Sequence, residues 1–337
     1  MYSILVVAPA WVGDSVMAEP LYQLLSKKHS DLALDVLAPG WTLPLLQRMP
    51  QVRNAIENPF AHGQLRLKER RAIGLALRKQ HYDQAIVLPN SLKSALIPWF
   101  ANIPKRTGFV GEMRYGLLND ARKLEPDALP LMVERFAFLA GDKGVALQRP
   151  VPNPRMVVDS RQAKKTLADL GLSLAKPVVA FCPGAEYGEA KRWPAGHFAE
   201  LARAVRAAGA QVWIFGSNKD REIGDAILAG AGADDVCQLA GKTSLDQAVD
   251  LLSLASVVVT NDSGLMHVAA ALERPIVALF GSSSPGFTPP LSDRAQVLSL
   301  NLSCSPCFKR VCPLGHLDCL NKLSPQQVYQ ALLPILS

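Results

Sequence analysis

Residues 257–267 read Val-Val-Val-Thr-Asn-Asp-Ser-Gly-Leu-Met-His, and their pattern indicates the fold class of the second half of the chain. An apolar, β-branched run ends at Thr260, and an alanine-rich helical pattern over 265–272 follows directly after the turn. The pattern predicts a buried strand, a tight turn and a helix whose first turn is capped by Asp262 or Ser263. Free N–H groups at the start of such a helix, beside the end of a parallel strand, form an anion site suited to a diphosphate.

Two further residues of this stretch suit an anion site. Gly264 lets the backbone approach a ligand closely, and His267 lies one helical turn further along. An ordinary helix cap in an α/β domain explains the same residues, so the segment alone leaves both interpretations open. The anion site is favoured because a second turn of the same kind lies near the N-terminus.

Short apolar strands alternate with helical patterns along the whole chain. Strands are predicted over 3–8, 33–38, 84–88 and 106–109 in the first half, and over 178–182, 211–215, 257–260 and 276–280 in the second. Helical patterns lie between them, over 17–28, 70–80, 196–208 and 245–254. Continuous apolar strands separated by helices indicate parallel sheets that are covered on both faces.

Residues 148–154, Gln-Arg-Pro-Val-Pro-Asn-Pro, mark the boundary between the two halves. Three prolines in five residues cannot continue a helix or a central strand. We therefore predict an N-terminal domain over 1–150, a linker and the start of the second domain over 151–176, and a C-terminal domain over 177–337. The expected fold class is α/β, with two Rossmann-like domains facing each other across a cleft and ligands at the carboxyl ends of the strands.

The net charge of +7 belongs entirely to the first half of the chain. Up to Arg155 there are 20 Lys and Arg against 13 Asp and Glu, whereas the remainder holds 16 of each. This excess predicts an acidic partner (nucleic acid, an anionic membrane surface or an anionic substrate), and a solvated basic surface explains it equally. The chain opens in a strand without a basic leader and holds no apolar run of roughly 18 residues, which predicts a cytoplasmic protein.

Residues 7–16, Val-Ala-Pro-Ala-Trp-Val-Gly-Asp-Ser-Val, form the second special turn. It lacks the G-x-G-x-x-G spacing of a dinucleotide site. Gly13 supplies a backbone that bends or approaches a ligand, and Asp14 stands at the start of the next helix. Asp14 is either an N-cap, with Ser15 as its competitor, or a general base. A carboxylate at a helix N-terminus stays ionised at pH 7 and is able to accept a proton.

A third loop, residues 181–194, follows the first strand of the second domain. It reads Phe-Cys-Pro-Gly-Ala-Glu-Tyr-Gly-Glu-Ala-Lys-Arg-Trp-Pro, and a mononucleotide-binding half places its phosphate loop at this point. A Lys-Arg pair is usually surface charge, but Lys191 and Arg192 here suit the neutralisation of a leaving diphosphate. Pro194 is predicted at the first position of the following helix.

Together these motifs resemble the ADP-heptose:lipopolysaccharide heptosyltransferases, glycosyltransferase family 9. The resemblance runs from the N-terminus to about Ser299, and its motifs recur in order over 11–14, 89–95, 111–120, 183–194, 215–217 and 261–271. It implies the GT-B architecture and inverting transfer of L-glycero-D-manno-heptose from ADP-heptose to the first heptose of the lipopolysaccharide inner core. Transfer one step earlier, onto Kdo–lipid A, remains open. A lipid-linked acceptor also implies peripheral contact with the inner face of the inner membrane.

The resemblance also implies roles for individual residues, with the donor on the C-terminal domain and the acceptor on the N-terminal one. Asp14 matches the family's general base, and Lys191 would stabilise the leaving ADP. The expected donor-binding residues are Gly13, Gly184, Lys191, Ser217, Asp220, Asn261, Asp262, Ser263, Gly264 and His267, with Glu222 as the rival of Asp220 at the ribose. The expected acceptor-binding residues are Lys93, Arg114, Arg66, Arg70 and Arg71, although a solvated charged helix also explains the last three.

Four of the six cysteines lie near the end of the chain. Cys304, Cys307, Cys312 and Cys319 follow the spacing C-x2-C-x4-C-x6-C, with His316 inside it. This pattern suits a structural zinc site or an iron–sulfur cluster, and unligated thiols explain it as well. A cytoplasmic location disfavours disulfides. Cys182 and Cys237 are predicted to be buried small apolar residues. Catalysis is expected to need no cofactor, since no D-x-D triplet for a metal–diphosphate clamp occurs in the chain.

Two other classes of protein fit the sequence less well. A nucleic-acid-binding protein would use the basic first half and the cysteine-rich tail, but only 7% of the residues are aromatic and no reader motif occurs. An NAD-dependent oxidoreductase would also have two nucleotide-type domains, but the chain lacks the glycine fingerprint after its first strand. We therefore expect no nucleic-acid partner.

Overall fold

The computed structural model describes residues 1–61, 63–232 and 234–336. The chain divides into two compact units, Met1–Pro154 and Arg155–Ser337. The stretch predicted as linker and start of the second domain, 151–176, thus lies almost wholly in the second unit. Within the described ranges, no helix is both long and apolar enough to span a membrane.

The first unit is a parallel sheet with helices between its strands. Its strands are β1 (Tyr2–Val7), β2 (Leu32–Ala38), β3 (Asn54–Glu57), β4 (Gln84–Val87), β5 (Lys105–Phe109) and β6 (Asp120–Arg122). Its helices are α1 (Val12–Met17), α2 (Glu19–Lys28), α3 (Leu43–Leu46), α4 (Leu67–Leu77), α5 (Leu96–Phe100) and α6 (Met132–Phe138). The strand order is β3-β2-β1-β4-β5-β6.

The second unit repeats this plan. Its strands are β7 (Val178–Cys182), β8 (Gln211–Ile214), β9 (Val236–Gln238), β10 (Val257–Asn261), β11 (Ile276–Leu279) and β12 (Ala295–Leu298). Its helices are α7 (Ser160–Asp169), α8 (Ala195–Ala207), α9 (Arg221–Ala231), α10 (Leu245–Leu252), α11 (Gly264–Ala271), α12 (Asp318–Asn321) and α13 (Pro325–Leu336). The strand order β12-β11-β10-β7-β8-β9 is again 3-2-1-4-5-6 when each unit's strands are numbered from its own first.

The strand order determines where each unit can bind a ligand. In both sheets the order reverses beside the first strand, between β1 and β4 and between β7 and β10. Loops leaving the carboxyl ends of such a pair diverge to opposite faces and leave a crevice, which is where α/β sheets of this order bind nucleotides. The three special turns of the sequence follow β1, β7 and β10, so all three lie at these switch points.

The inner strands are buried on both faces, which explains their uninterrupted apolar sequences. Val179 and Phe181 of β7 and Val257 and Val259 of β10 pack in one core, and each is 0% exposed. Helices α8 and α13 contribute to the same core. All eight predicted strands are present as inner strands, within one or two residues at each end.

Some predicted helix boundaries differ from the structure. The pattern over 17–28 was predicted as one helix, but α1 ends at Met17 and α2 begins at Glu19, with Pro20 near its start. Proline has no N–H to bond back into α1, so the helix is interrupted there. Pro194 is the N-cap of α8 and not its first residue, because its ψ of 138° is extended.

Candidate active site

Lys191 lies in the loop between β7 and α8, at the end of the short 3-10 turn Glu189–Lys191. Its Nζ donates to Asp262 Oδ2 over 2.5 Å, which joins the loop after β7 to the turn after β10. The Lys191 side chain is 17% exposed and that of Asp262 is 5% exposed. The predicted cation is therefore present at the switch point of the second unit, and its position is determined by a carboxylate.

Asn261 holds the same two loops together through its side-chain amide. Its Nδ2 donates to the carbonyl of Pro183 (2.6 Å), and its Oδ1 accepts from the backbone N–H of Trp193 (3.1 Å). Asn261 is 0% exposed. Both ends of the amide thus make hydrogen bonds within the protein that position the Lys191 loop, and the predicted contact of Asn261 with the donor stays a prediction. Trp193, which the sequence analysis did not single out, anchors that loop by donating from Nε1 to Leu323.

The N-terminus of α11 differs from the predicted cap in a way that favours an anion. Ser263 is the N-cap residue by position, but its side chain makes no capping hydrogen bond. Its Oγ lies 3.3 Å from the Thr260 hydroxyl, and Asp262 is engaged with Lys191. The first-turn N–H groups, beginning at Gly264, therefore have no side-chain cap and are available to a ligand with negative charge.

His267 lies on the first turn and a half of α11 and is 3% exposed. The pKa of His267 is lowered to about 4, mainly by burial; Asp262 opposes this shift and Lys191 adds to it. The imidazole is therefore neutral at pH 7. Its Nδ1 is buried without a hydrogen-bond partner. A buried polar atom without a partner beside an uncapped helix end is typical of a site that a ligand completes.

Asp220 lies between two glycine-bearing loops at the ends of β7 and β8. Its Oδ2 accepts from the backbone N–H and the hydroxyl of Ser217, at 2.8 and 2.7 Å. A Cβ on Gly184 would lie 2.5 Å from Asp220 Oδ1, and one on Gly216 would lie 2.7 Å from Asp220 Cβ. Both glycines are therefore needed for the carboxylate to lie where it does. Its rival Glu222 is exposed in the first turn of α9.

Asp14 and Gly13 lie in the first turn of α1, directly after β1. Trp11 is the N-cap of this helix, and Asp14 is its third residue. The competing interpretation of Asp14 as an N-cap is therefore wrong, because α1 begins at Val12, three residues before the start that an Asp14 cap requires. The carboxylate is half-buried at the positive end of a helix, next to the switch point of the first sheet.

Arg114 has a structural task in place of the predicted contact with an acceptor. It is 1% exposed, and burial lowers its pKa to about 10. The guanidinium donates to the carbonyls of Pro89 (2.6 Å) and Phe109 (2.7 Å) and to the hydroxyl of Ser94 (3.1 Å). It thereby cross-links the loops after β4 and β5. A guanidinium with its donors directed at the chain's own oxygens has no free edge for a ligand.

The Arg70 guanidinium also makes its hydrogen bonds within the protein, whereas the side chains of Lys93, Arg66 and Arg71 extend toward solvent or are half-buried. Arg70 is 4% exposed and donates to the carbonyls of Leu65 (2.6 Å) and Gln64 (3.0 Å). Lys93 is half-buried after β4, Arg66 is the exposed N-cap of α4, and Arg71 is exposed on that helix. Only these last three have side chains placed to meet an external anion.

The carboxyl edge of the first sheet also carries large exposed apolar side chains. Trp11 follows β1, Trp41 follows β2, Leu92 follows β4, and Met113 and Tyr115 follow β5. Met113 is 83% exposed and Tyr115 is 69% exposed. Parallel strands end at one edge, so these side chains and Lys93 belong to one rim, which is both apolar and basic. We call these five apolar residues the apolar rim.

The four tail cysteines line one small cavity of the second unit. Cys304, Cys307, Cys312 and Cys319 enclose about 20 Å³, and all are free thiols. Backbone N–H groups of residues 314–317, that of Leu317 first, hydrogen-bond to Cys312 and lower its pKa. Among the described residues, no group of three or more His, Cys, Asp or Glu side chains is placed so that it could hold a metal ion.

The two remaining cysteines were predicted to be buried small apolar residues. Cys182 is buried as predicted, whereas Cys237 is half-buried.

Comparison with known proteins agrees with this geometry. The sequence profile of Glycosyltransferase family 9 (heptosyltransferase) matches residues 70–318. The chain belongs to glycosyltransferase family 9. It is therefore an enzyme, a heptosyltransferase, and the predicted family and activity are confirmed.

Named relatives and a solved structure extend the likeness to the whole chain. The lipopolysaccharide heptosyltransferase 2 of Salmonella typhimurium is 51% identical, over 99% of this chain and 98% of the relative. That of Escherichia coli K12 is 50% identical, over 98% and 97%. The structure of E. coli ADP-heptose lipopolysaccharide heptosyltransferase II matches with a TM-score of 0.90 and 48% identity, covering 100% of this chain and 98% of that one. The predicted GT-B fold class of this heptosyltransferase is thereby confirmed.

Proposed function

We propose that this heptosyltransferase moves L-glycero-D-manno-heptose from ADP-heptose to the first heptose of the lipopolysaccharide inner core, with inversion at the anomeric carbon. The observation that carries the proposal is Lys191, held by Asp262 beside the uncapped N-terminus of α11. Near-identical length and about 50% identity to two lipopolysaccharide heptosyltransferases 2 support the same donor and acceptor.

The donor side of the reaction needs stabilisation of charge on a leaving diphosphate. Negative charge grows on the ADP oxygens as the bond to the anomeric carbon breaks. The Lys191 ammonium and the first N–H groups of α11 are fixed before the reaction begins, so they stabilise this charge without reorganising. Neutral His267 completes the site as a hydrogen-bonding group. This chemistry uses no cofactor.

The nucleotide's ribose would bind at Asp220. The carboxylate lies against Gly184 and close to Gly216, at the ends of β7 and β8. One of its oxygens is held by Ser217, which fixes the direction in which the other points. A carboxylate at the end of the second strand of a mononucleotide-binding half is the usual partner of ribose hydroxyls.

The acceptor side needs a base that takes the proton of the attacking hydroxyl. Asp14 has the right chemistry, because a carboxylate in the first turn of a helix stays ionised at neutral pH. In an inverting displacement the hydroxyl attacks on the face opposite the leaving ADP. The base and the diphosphate clamp therefore act on opposite faces of the transferred sugar.

The acceptor is lipid-linked, and the first unit has a surface of matching chemistry. The apolar rim lies at the same sheet edge as Lys93, where the loops after β1, β2, β4 and β5 end. Exposed aromatic side chains and cations together suit the interface of an anionic membrane. We therefore include peripheral binding to the inner face of the inner membrane, through this rim, in the proposed function.

The acceptor is tested by ADP release from ADP-heptose with two substrates, Kdo–lipid A and heptosyl-Kdo–lipid A. Release with the heptosylated acceptor alone is the expected result. Release of ADP with Kdo–lipid A would support the same heptosyl transfer, but with Kdo as the acceptor, which is one step earlier in the assembly of the inner core. ADP binding without release from either acceptor would contradict the proposed acceptor class.

Membrane binding is tested by sedimentation with vesicles of anionic or zwitterionic phospholipid. The wild-type protein should sediment with the anionic vesicles, and the double variant Met113→Ser, Tyr115→Ser should lose most of this binding. Trp99→Ser is the matched control, because Trp99 is 45% exposed but lies on α5, outside the rim. Equal binding by all three proteins would contradict a role for the rim.

A further inference from the structure

The cysteine segment, residues 304–319, lines a small cavity. An empty cavity costs packing contacts, so its presence in this loop needs an explanation. The segment's four cysteines all line a space of about 20 Å³, which is room for roughly one small atom. Soft thiolate ligands in a set of four select zinc or iron over harder ions. Four cysteines that line one space of that size match the ligand set of a single thiophilic ion.

A second observation on the same cavity points to a ligand. Ser282 lines it from the loop after β11, is 2% exposed, and its hydroxyl is buried without a hydrogen-bond partner. An unpaired buried hydroxyl in the lining suits a charged centre in the cavity better than an apolar one.

The structure also indicates which side chains would be the ligands. His316 lines the cavity too, but its Nδ1 accepts a hydrogen bond from the backbone N–H of Asp318 over 2.9 Å. A neutral imidazole with an accepting Nδ1 carries its proton on Nε2, so it has no lone pair for a metal. The four cysteines are thus the ligand set. No three of the described ligand side chains are placed so that they could hold a metal ion as they stand, so the ion would have to draw the sulfurs inward.

We propose that Cys304, Cys307, Cys312 and Cys319 bind one thiophilic transition-metal ion, zinc or iron, which holds the cysteine segment against the loop that carries Lys191. The ion would be structural, because four protein sulfurs leave no position open for a substrate. It would act on donor binding only by keeping the Lys191 loop in place.

The contact between the two segments is direct. Tyr187 donates from its hydroxyl to the carbonyl of Phe308 (2.9 Å), and Ala190 donates from its N–H to the carbonyl of Arg310 (3.1 Å). The Arg310 guanidinium and the Lys191 ammonium each lie 5.0 Å from the centre of the Tyr187 ring. A cysteine segment that loosens would therefore free the residues on either side of Lys191.

The metal is tested on the full chain, purified under reducing conditions without added metal or chelator. Elemental analysis should find about one equivalent of zinc or iron per chain. Cobalt(II) added to the stripped protein should give thiolate-to-metal charge-transfer absorption. Cys312→Ser and Cys319→Ser should lose the metal, and Cys237→Ser, outside the cavity, should keep it. A wild-type protein with neither metal nor cobalt absorption would overturn the proposal, and this result needs no variant to fold.

The holding role is tested separately, since it alone rests on the proposed function of Lys191. Removal of the metal should weaken ADP binding about tenfold and should increase proteolytic cleavage within residues 304–319. Restoring the metal should reverse both effects. A protein that binds metal but keeps its ADP affinity and protease resistance when stripped would overturn the holding role and leave the metal site standing.

Discussion

Lys191 Nζ and Asp262 Oδ2 lie 2.5 Å apart, so the cation proposed to meet the diphosphate is held by a carboxylate from the neighbouring turn. The pair is nearly buried, which fixes the ammonium beside the start of α11. A lysine is flexible by itself, and here its position is determined by the residue that precedes the helix N-cap. The two residues therefore have separate tasks that mutation can distinguish.

Lys191→Ala should lower kcat/KM for ADP-heptose by about 10²- to 10³-fold, because a preorganised donor to the developing charge is lost. Asp262→Asn should cost less, about tenfold, since the amide oxygen still accepts from Lys191 but no longer holds it by charge. Steady-state kinetics with both substrates varied would check this. Lys219→Ala, an exposed lysine paired with Glu186, is the control and should be unaffected. A loss of acceptor affinity alone in Lys191→Ala would contradict its placement.

Asp14→Asn should reduce kcat by about 10²- to 10⁴-fold, because the amide cannot take the proton of the acceptor hydroxyl. The affinity for ADP should stay within a few-fold of wild type, since Asp14 lies in the other unit from the nucleotide loops. Single-turnover kinetics and calorimetric ADP titration separate the two effects. Asp127→Asn, on an exposed loop of the same unit, is the matched control. Full turnover in Asp14→Asn would mean that another group is the base.

Asp220→Asn should weaken ADP binding by about tenfold, because a charged hydrogen bond to the ribose becomes a neutral one. Glu222→Gln should change it little, since that side chain is exposed on α9. Gly184→Ala should resemble Asp220→Asn, because its Cβ would displace the carboxylate. Calorimetric titration with ADP and with adenine measures this. If Glu222→Gln were the more damaging change, the ribose assignment would pass to Glu222.

Acid should destabilise the second unit through His267. Its pKa in the folded protein is about 4, against an ordinary value of 6.5, so the unfolded chain binds the proton more readily between these values. Stability should therefore fall as the pH falls from 6.5 to 4, by up to about 3 kcal/mol. Urea unfolding at several pH values would measure the slope, which His267→Gln should remove. His81→Asn is the control, because His81 is exposed and asparagine tolerates its φ of 51°. An unchanged slope in His267→Gln would show that other groups cause the acid sensitivity.

Arg114→Lys should lower the free energy of unfolding by about 2–3 kcal/mol, because an ammonium cannot reproduce the fork that joins the loops after β4 and β5. The exposed Arg71→Lys should change it by less than about 0.5 kcal/mol. Urea unfolding of both variants provides the measurement. If the Arg114→Lys variant kept full stability but bound the acceptor poorly, this result would support the predicted contact between Arg114 and the acceptor.

The elements that could be predicted from the amino-acid sequence are those whose conformation depends mainly on neighbouring residues in the chain. The eight inner strands are buried on both faces, so each is a continuous apolar run that stands out between helical patterns. The turns after β1, β7 and β10 combine small or capping residues with a helix start. This local pattern can be recognised without knowledge of the tertiary contacts. Asp14, Lys191 and the residues 261–267 were predicted as site residues in this way.

The four edge strands of the described sheets could not be predicted from the sequence. β3, β6, β9 and β12 are three or four residues long, and each pairs on one side alone. They include exposed or half-buried positions, so their sequences carry no long apolar run. Their conformation depends on the neighbouring strand that offers hydrogen bonds, and the local sequence does not show which strand that is.

The tertiary structure also decided what each charged residue does. In the sequence Arg114 and Arg71 are both arginines of a basic half, but carbonyls 5 to 25 residues away in the chain surround the first and solvent surrounds the second. Lys191 and Asp262 are 71 residues apart and meet only because β7 and β10 are adjacent. Charge is a property of the residue, whereas its partner is a property of the fold, because burial and distance determine which interaction dominates.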